Sequence, residues 1–479
     1  MTAQKTTGIF IRGGWAESDE GLTVYDKYTR EPVAELELAT ESHVEAAVAS
    51  AVEASRRPLP QARREEILNG GAALLDERAE EIEADYVAET GFTPADAAGE
   101  LKRAASILRL SAGEAIRIAG EEVPVAATPG SENRIAFTIR VPVGVVAAIS
   151  PFNAPLSTVA HKVGPAIAAG NGVVLKPAGV TPLSAIALTR ALNDAGLPAG
   201  YLSVLPGPGA RIGTPLVSHP DVRFVTFTGS TAVGRDIRKN SGLARTHLEL
   251  GSNSVSVVAA DADLELVTDL VGRAGYRKSG QVCTSVQRIL ADRSVFDELG
   301  ELLATKVASL KAGDPRSPDS DIGPLISPDA AARAHTWIEE AREAGTTVVG
   351  GDLDGAVLQP TLVISPSDDS PLVTEEAFAP IVSLIQVNST NEAIEVANSG
   401  QYGLQVGFFT QDVDRAFDAV RRLEAGGVII NDTSSYHADL MPYGGVKESG
   451  HGVEGPRYAV HDMTDPRLVV MNLRAPGGG

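Results

Sequence analysis

Val143-Gly144-Val145-Val146-Ala147-Ala148-Ile149 is an uninterrupted apolar run that ends at Ser150-Pro151-Phe152-Asn153-Ala154-Pro155. A strand with one face in water alternates apolar and polar residues, whereas a strand covered on both faces does not. The run therefore reads as a strand of a buried parallel sheet. Downstream, 172–175, 201–205 and 224–227 read as further strands, with helices over 181–195 and 210–218 between them. Such alternation predicts an α/β fold. Upstream the period changes: Ile135, Phe137, Ile139 and Val141 alternate with Arg134, Ala136, Thr138 and Arg140, which predicts a half-buried strand interrupted at Pro142. Before it come an irregular Gly-rich start and three packing helices. The first opens on the capping-box pattern Ser42-His43-Val44-Glu45 and continues Ala47, Val48, Ala51, Val52. A second runs from Pro60 through Ile67, Leu74, Leu75, Ile82 and Tyr86, and a third covers about 96–119.

A second α/β series starts near Asn253, with strands at 255–259, 288–290, 346–349 and 381–387 and helices at 264–277, 294–310 and 328–344. At 479 residues the chain is too long for one ordinary core, so two to three domains are expected. Arg467-Leu468-Val469-Val470-Met471-Asn472 reads as a closing apolar strand before a Pro-Gly-Gly-Gly tail.

The net charge of −21 makes nucleic acid and anionic membranes unfavourable partners, because both repel an acidic surface. No apolar run approaches the roughly 18 residues of a membrane span, and Met1-Thr2-Ala3-Gln4-Lys5 leads into no signal-type segment. A cytoplasmic protein is expected. A single cysteine forms no internal disulfide, and eight histidines without a Cys/His cluster offer no metal site.

That cysteine lies in Ser279-Gly280-Gln281-Val282-Cys283-Thr284-Ser285, where a Gly-Gln turn after the 264–277 helix brings the thiol to a change of chain direction. A lone cysteine is more often a small buried hydrophobe. The thiolate is the nucleophile, and a free thiol with a pKa of about 8.5 needs a base or a positive potential to form it. Glu249, in Leu248-Glu249-Leu250-Gly251, lies 34 residues earlier where a glycine stops an apolar strand.

Taken with the motifs that follow, this pair resembles the aldehyde dehydrogenase superfamily, whose nucleophile lies in a G-Q-x-C turn and whose base lies in an E-L-G element. The motifs recur in order along almost the whole chain. The resemblance implies a Rossmann-like cofactor domain over 1–122 and 143–249, and an α/β catalytic domain over 250–448. It also implies a small β oligomerisation element over 123–142 and 463–479, and a return segment over 449–462. Assembly into a homodimer or homotetramer is expected. The implied activity is NAD(P)-dependent oxidation of an aldehyde through a cysteine thiohemiacetal and thioester. Cys283 would be the nucleophile and Glu249 the base for the deacylating water. Asn153, in P-x-N-x-P, would be an oxyanion donor beside the Cys283 backbone N–H, and Lys162 a residue of the proton path.

For NAD or NADP, Phe227-Thr228-Gly229-Ser230-Thr231-Ala232-Val233-Gly234 resembles the family's F-T-G-S-T-x-x-G, with Gly229, Ser230, Thr231 and Gly234 at its turn and helix start. Free N–H groups at a helix start favour a phosphate. Lys176 matches the lysine that contacts the adenosine ribose. Glu376 and Phe378 lie in Glu375-Glu376-Ala377-Phe378-Ala379-Pro380, similar to E-E-x-F-G-P. Ser150, Phe152 and Leu250 complete the expected cofactor contacts. Phe152, Val282, Thr284, Tyr436 and Arg103 are the expected substrate-pocket residues. The chain departs from the family pattern in four places: Ala379 stands for glycine, Tyr443 for phenylalanine in Pro442-Tyr443-Gly444-Gly445, and Gly179 for the glutamate that accepts the ribose 2′-hydroxyl. Val282 stands where some phosphate-using members carry arginine. A small neutral or hydroxylated aldehyde is expected as the substrate, with an aromatic aldehyde, or acyl transfer to coenzyme A, as alternatives.

Overall fold

The computed structural model describes residues 4–6 and 8–473, so Met1-Thr2-Ala3 and the Pro-Gly-Gly-Gly tail lie outside the described residues. An eight-stranded sheet runs in the order Gly450–His451, Arg245–Glu249, Val222–Thr228, Val145–Ile149, Gly172–Lys176, Leu202–Val204, Ile9–Ile11, Gly14–Ala16. Its five central strands, from Arg245–Glu249 to Leu202–Val204, are parallel. The apolar run behaves as a strand covered on both sides. Val146 and Ala148 pack with Leu101, Leu108, Val163 and Ile167 on one face, and Val145, Ala147 and Ile149 pack with Val44, Val48, Ile212 and Leu216 on the other.

The second series forms a seven-stranded sheet in the order Thr347–Gly350, Thr361–Ile364, Ile381–Val387, Arg288–Asp292, Val255–Val258, Gln405–Phe409, Gly427–Ile430, parallel except for the first strand. Arg134–Pro142 pairs with Thr464–Asn472 and Glu122–Val123 in a separate antiparallel sheet.

Several expectations change; the first helix, for one, runs over Glu41–Ser55 and is capped by Thr40 with His43, not by a Ser42–Glu45 box. The start of the chain is not irregular: it supplies strands Ile9–Ile11 and Gly14–Ala16 to the large sheet, and Gly21–Tyr25 and Pro32–Glu37 to a smaller one. The helical stretch after Pro60 is two helices, Gln61–Glu77 and Ala79–Thr90, broken at Arg78 (φ −98°, ψ 21°). Both segments keep the same apolar spacing, so the break leaves no mark on the period. Finally, Arg134–Pro142 is partly buried, but not along its apolar face. Ile135 and Ile139 are exposed on one face of the ribbon, together with Met471 of the paired strand, and Leu468 and Val470 are exposed on the other. Among the described residues, no element covers either face at these positions.

The large sheet has its chemistry at one end. Register pairs Ile149 with Lys176, Phe227 with Ile149, and Thr228 with Glu249. The C-terminal ends of four adjacent strands thus lie in one row, where ligands bind in open α/β sheets. Facing this row is the cysteine turn, in which Lys278 (φ 51°), Ser279 (φ 55°) and Gly280 (φ 68°) are successively left-handed.

A Cβ on Gly280 would lie 2.0 Å from the carbonyl oxygen of Ala379, in addition to the positive φ. G280A should therefore lower the thermal unfolding midpoint. Exposed Gly99 in helix Pro94–Ala115 has open space around a Cβ. G99A should leave the midpoint unchanged or raise it, since alanine is favoured over glycine in a helix by roughly 0.5–1 kcal/mol. Differential scanning calorimetry of the two variants checks both directions.

Candidate active site

A cleft of about 790 Å³ runs between the strand ends and the cysteine turn. At its inner end are Cys283, Asn153, Glu249, Phe152, Val282, Thr284 and Arg103. The cysteine turn is fixed from several sides. Ser279 Oγ donates to Gly323 O (2.7 Å), Ser285 Oγ to Ala274 O and Gly275 O (both 3.1 Å), and Ile326 N donates to Gln281 Oε1 (2.9 Å). Asn153 Nδ2 donates to Gln281 O (2.7 Å), joining the loop after Val145–Ile149 to the cysteine turn. An amide nitrogen carries two protons, so a second remains for a developing oxyanion. Burial pushes the Cys283 thiol up to about 11, and the carboxylates of Glu249, Glu376 and Glu454 act in the same direction, while a hydrogen bond with Tyr443 opposes them. At rest the sulfur is a neutral thiol.

Glu249 is buried, and its Oε1 meets His247 Nε2 at 3.1 Å. Burial holds His247 down to about 4, so this contact is a hydrogen bond rather than an ion pair. Oε2 is buried without a hydrogen-bond partner. Burial raises the Glu249 carboxyl well above the ordinary range; the charge of Glu454 adds to this and Lys162 opposes it. Lys162, fully buried on helix Ser157–Ala169, lies behind the cleft wall and donates to Glu454 Oε1 (2.9 Å) and Thr226 Oγ1 (3.2 Å). Burial alone would raise Glu454, but Lys162, with His161 and His247 acting in the same direction, draws this carboxyl down to about 2. Two buried carboxyls thus differ in protonation because only one of them holds the ammonium.

The outer part of the cleft suits a dinucleotide. Ser230 caps helix Thr231–Asn240 directly after the strand Val222–Thr228 and Gly229, and Thr228 Oγ1 and Ser150 Oγ are buried without partners. A Cβ on Gly229 would meet the Phe227 ring at 2.5 Å. Among the described residues, the one hydrogen-bond partner of Lys176 Nζ is Pro177 O (3.2 Å), and burial lowers the ammonium to about 8. A desolvated cation without a carboxylate partner at a cleft wall is complementary to ribose hydroxyls or phosphate. Glu376 accepts from Ser252 N (2.8 Å), and Phe378, at φ 48°, meets Phe152 edge-on at 5.7 Å.

A family model described as "Aldehyde dehydrogenase family" matches residues 15–469. The chain belongs to the aldehyde dehydrogenase family. It is 46% identical over 474 residues, 99% of each chain, to a 3-sulfolactaldehyde dehydrogenase of Priestia aryabhattai. It is also 33% identical to a lactaldehyde dehydrogenase of Methanococcus vannielii, covering 97% of this chain and all of that one. Among solved structures it resembles an NADP-dependent glyceraldehyde-3-phosphate dehydrogenase of Bacillus halodurans complexed with NADP, with a TM-score of 0.96, 36% identity, and coverage of 98% of this chain and 100% of that one. This aldehyde dehydrogenase uses NAD or NADP.

Not every expected residue of this dehydrogenase reaches the cleft. Tyr436 is half-exposed and lies outside the cleft wall; the adjacent His437 takes that place, because in an irregular loop no period tells which residue faces inward. Gly179 is half-buried and lies between the cleft-lining Ala178 and Val180. Thr231 and Gly234 support the cradle from behind: Thr231 Oγ1 donates to Glu448 O (3.1 Å), and Gly234 leaves room for Leu250. Ser150, Phe152, Leu250, Ser230, Gly229, Lys176, Glu376 and Phe378 do line the cleft. Sequence reasoning missed Glu454, His161, His437 and Asp439. Arg103 donates to Asp439 Oδ1 (2.7 Å) and contacts His437 Nδ1 (2.8 Å), and His161 Nε2 lies 3.3 Å from Asp439. The Ala160-His161-Lys162 stretch was the available signal for His161. Nothing local marked Glu454, whose partner Lys162 lies 292 residues away.

Removing the Glu454 charge in E454Q takes away a raising influence and leaves Lys162 without its carboxylate, so Glu249 should ionise at lower pH. K162M should move it the other way. Infrared difference titration, with each double variant carrying E249Q as the blank, reads both directions.

Proposed function

We propose that this enzyme oxidises a short hydroxylated aldehyde to its carboxylic acid by covalent catalysis at Cys283. The observation that carries the reading is the convergence of one thiol, the Asn153 amide and the unpartnered Glu249 oxygen at the inner end of a cleft whose outer end suits a dinucleotide. Cys283 loses its proton to solvent through the cleft, and the resulting thiolate forms the C–S bond to the aldehyde carbon. The carbonyl oxygen becomes an oxyanion, met by the Cys283 N–H and the remaining Asn153 amide proton, donors worth about 3–4 kcal/mol each in such sites. A nicotinamide held in the cleft would supply the two-electron acceptor for the hydride that leaves the adduct, so that a thioester remains. In its ionised form Glu249 then takes a proton from water as the water attacks the acyl carbon; the C–S bond breaks, releasing acid, and that proton restores the thiol. Glu376 and Phe378 would hold the nicotinamide ribose. The eight-stranded sheet would be the cofactor domain and the seven-stranded sheet the catalytic domain. The exposed apolar ribbon would mediate a homodimer or homotetramer, and the cytoplasm is the proposed compartment.

The substrate end is polar, with Arg103, His161, His437 and Thr284 around the thiol. Arg103 already holds Asp439, which burial alone would raise but which His161 and Arg103 hold at about 2. A neutral hydroxylated aldehyde therefore fits better than a dianion, and Val282 adds no charge. An absorbance assay of cofactor reduction over lactaldehyde, 3-sulfolactaldehyde, glyceraldehyde 3-phosphate and benzaldehyde should give the highest kcat/KM for lactaldehyde. Preference for either anion overturns the neutral-substrate reading, and preference for benzaldehyde favours an aromatic substrate. With propanal, turnover should need no coenzyme A. C283A should abolish it, and E249Q should show a burst of reduced cofactor before a slow phase.

For the cofactor, no carboxylate stands at Gly179 to exclude a 2′-phosphate, and Lys176 can attract one. NADP should therefore be accepted at a rate comparable to NAD or preferred. G179E should shift kcat/KM toward NAD by about 1–3 kcal/mol, the size of a charge-assisted hydrogen bond. Because Lys176 loses its proton above about pH 8, NADP should lose affinity relative to NAD as pH rises through that value. Fluorescence titration with each cofactor checks the trend.

A further inference from the structure

The substituent that distinguishes the tyrosine of Pro442-Tyr443-Gly444-Gly445 from the phenylalanine of the motif it resembles is one hydroxyl. That hydroxyl lies 3.0 Å from Cys283 Sγ. We propose that Tyr443 is a catalytic residue, whose O–H donates a hydrogen bond to the Cys283 thiolate and so makes the nucleophile available. The inference rests on Cys283 being the nucleophile, and extends that reading to a second side chain.

The geometry leaves the hydroxyl few other uses. Tyr443 lines the cleft at the substrate end, and its ring meets His437 edge-on at 4.9 Å. His437 is fixed in turn by Arg103. The backbone of Tyr443 is tied to Glu454 in both directions, with Tyr443 N donating to Glu454 O (3.2 Å) and Glu454 N to Tyr443 O (2.6 Å). Ring and backbone are therefore set by contacts that phenylalanine would keep, and the sulfur is the hydrogen-bond partner of the hydroxyl among the described residues.

The need for such a donor follows from the surroundings. Burial disfavours the thiolate, and Glu249, Glu376 and Glu454, when ionised, disfavour it further. The Tyr443 hydrogen bond is the opposing influence. A phenol suits the task, because burial and the neighbouring sulfur and carboxylates keep Tyr443 protonated when the thiol has ionised. An O–H donor to an ionised acceptor is stronger than one to a neutral acceptor, and a hydrogen bond to the charged form lowers the pKa of the acid that makes it. The hydroxyl thus favours the thiolate over the thiol although it can contact both.

Cys283 is the chain's one cysteine, so thiol chemistry on the intact enzyme reports on it alone. The test is the rate of iodoacetamide alkylation against pH for the unaltered enzyme and for Y443F, with loss of activity followed in the same samples. Below the midpoint, alkylation tracks the thiolate fraction. Losing the hydrogen bond should slow alkylation of Y443F about tenfold at each pH, as a midpoint raised by about one unit requires. The pre-steady-state burst should slow in parallel, with cofactor affinity unchanged. Superimposed alkylation profiles, or faster alkylation of Y443F, overturn the proposal. A changed preference between lactaldehyde and propanal with unmoved profiles assigns the hydroxyl to the substrate and overturns it as well. Retained activity after complete alkylation would instead refute Cys283 as the nucleophile, a result distinct from failure of the tyrosine assignment. Equal thermal midpoints and equal cofactor binding for the two proteins separate these outcomes from misfolding.

Discussion

The arrangement around the cleft depends on one buried ion pair. Lys278, five residues before Cys283, donates to Glu100 Oε1 (2.9 Å) and to the backbone oxygen of Asn153 (3.1 Å). Glu100 belongs to helix Pro94–Ala115 and also accepts from Ser157 N and Ser157 Oγ at 3.0 Å each. One ammonium therefore joins three segments: the helix packed on the eight-stranded sheet, the asparagine loop at its strand end, and the cysteine turn of the other series. Burial alone would raise Glu100, yet Lys278 and Arg103 hold it below its ordinary value. The Tyr86 and Phe92 rings lie 5.7 and 5.4 Å from the same ammonium. Removing one member of such a pair leaves an uncompensated buried charge, typically at a cost of about 3–5 kcal/mol. Its value here is positional, because it fixes the separation of Cys283 from Asn153.

The left-handed turn follows from the same constraint. Lys278 can reach Glu100 only if the chain doubles back after helix Leu264–Ala274, and Lys278, Ser279 and Gly280 accomplish this in consecutive left-handed residues. Only the third is glycine, so the other two carry the conformational cost, of order 1–3 kcal/mol each for a strained non-glycine residue. Left-handed non-glycine residues at Lys278, Ser279 and Phe378 lie at or beside the cleft, and others at Arg12, Arg30, Ser365, Asn431 and Lys447 lie elsewhere.

The sheet strands were legible because burial on both faces writes itself into sequence as a run, and the 143–149 stretch needs no tertiary information to be read. The principal site residues were legible because short motifs carry them. What escaped has a common cause. Glu454, Asp439 and His437 sit in loops or turns where neither period 2 nor period 3.6 operates, and their roles come from partners hundreds of residues away. Tyr436 was chosen where His437 serves, an error of one position that periodicity would have corrected in a helix. The 134–142 strand failed differently. Alternation correctly marks an apolar face, but it does not say whether the cover comes from the same chain.

A single thiol has a chemical consequence beyond turnover. Peroxides oxidise the thiolate, and Cys283 at rest is held as a thiol by burial and surrounding carboxylates. The resting enzyme is thereby shielded from oxidants, and exposure is confined to the interval in which the sulfur ionises. Should a sulfenic acid form in that interval, the chain offers no second cysteine to capture it as a disulfide. Its repair depends on a thiol from outside the chain, and its further oxidation to sulfinic acid ends the life of that active site.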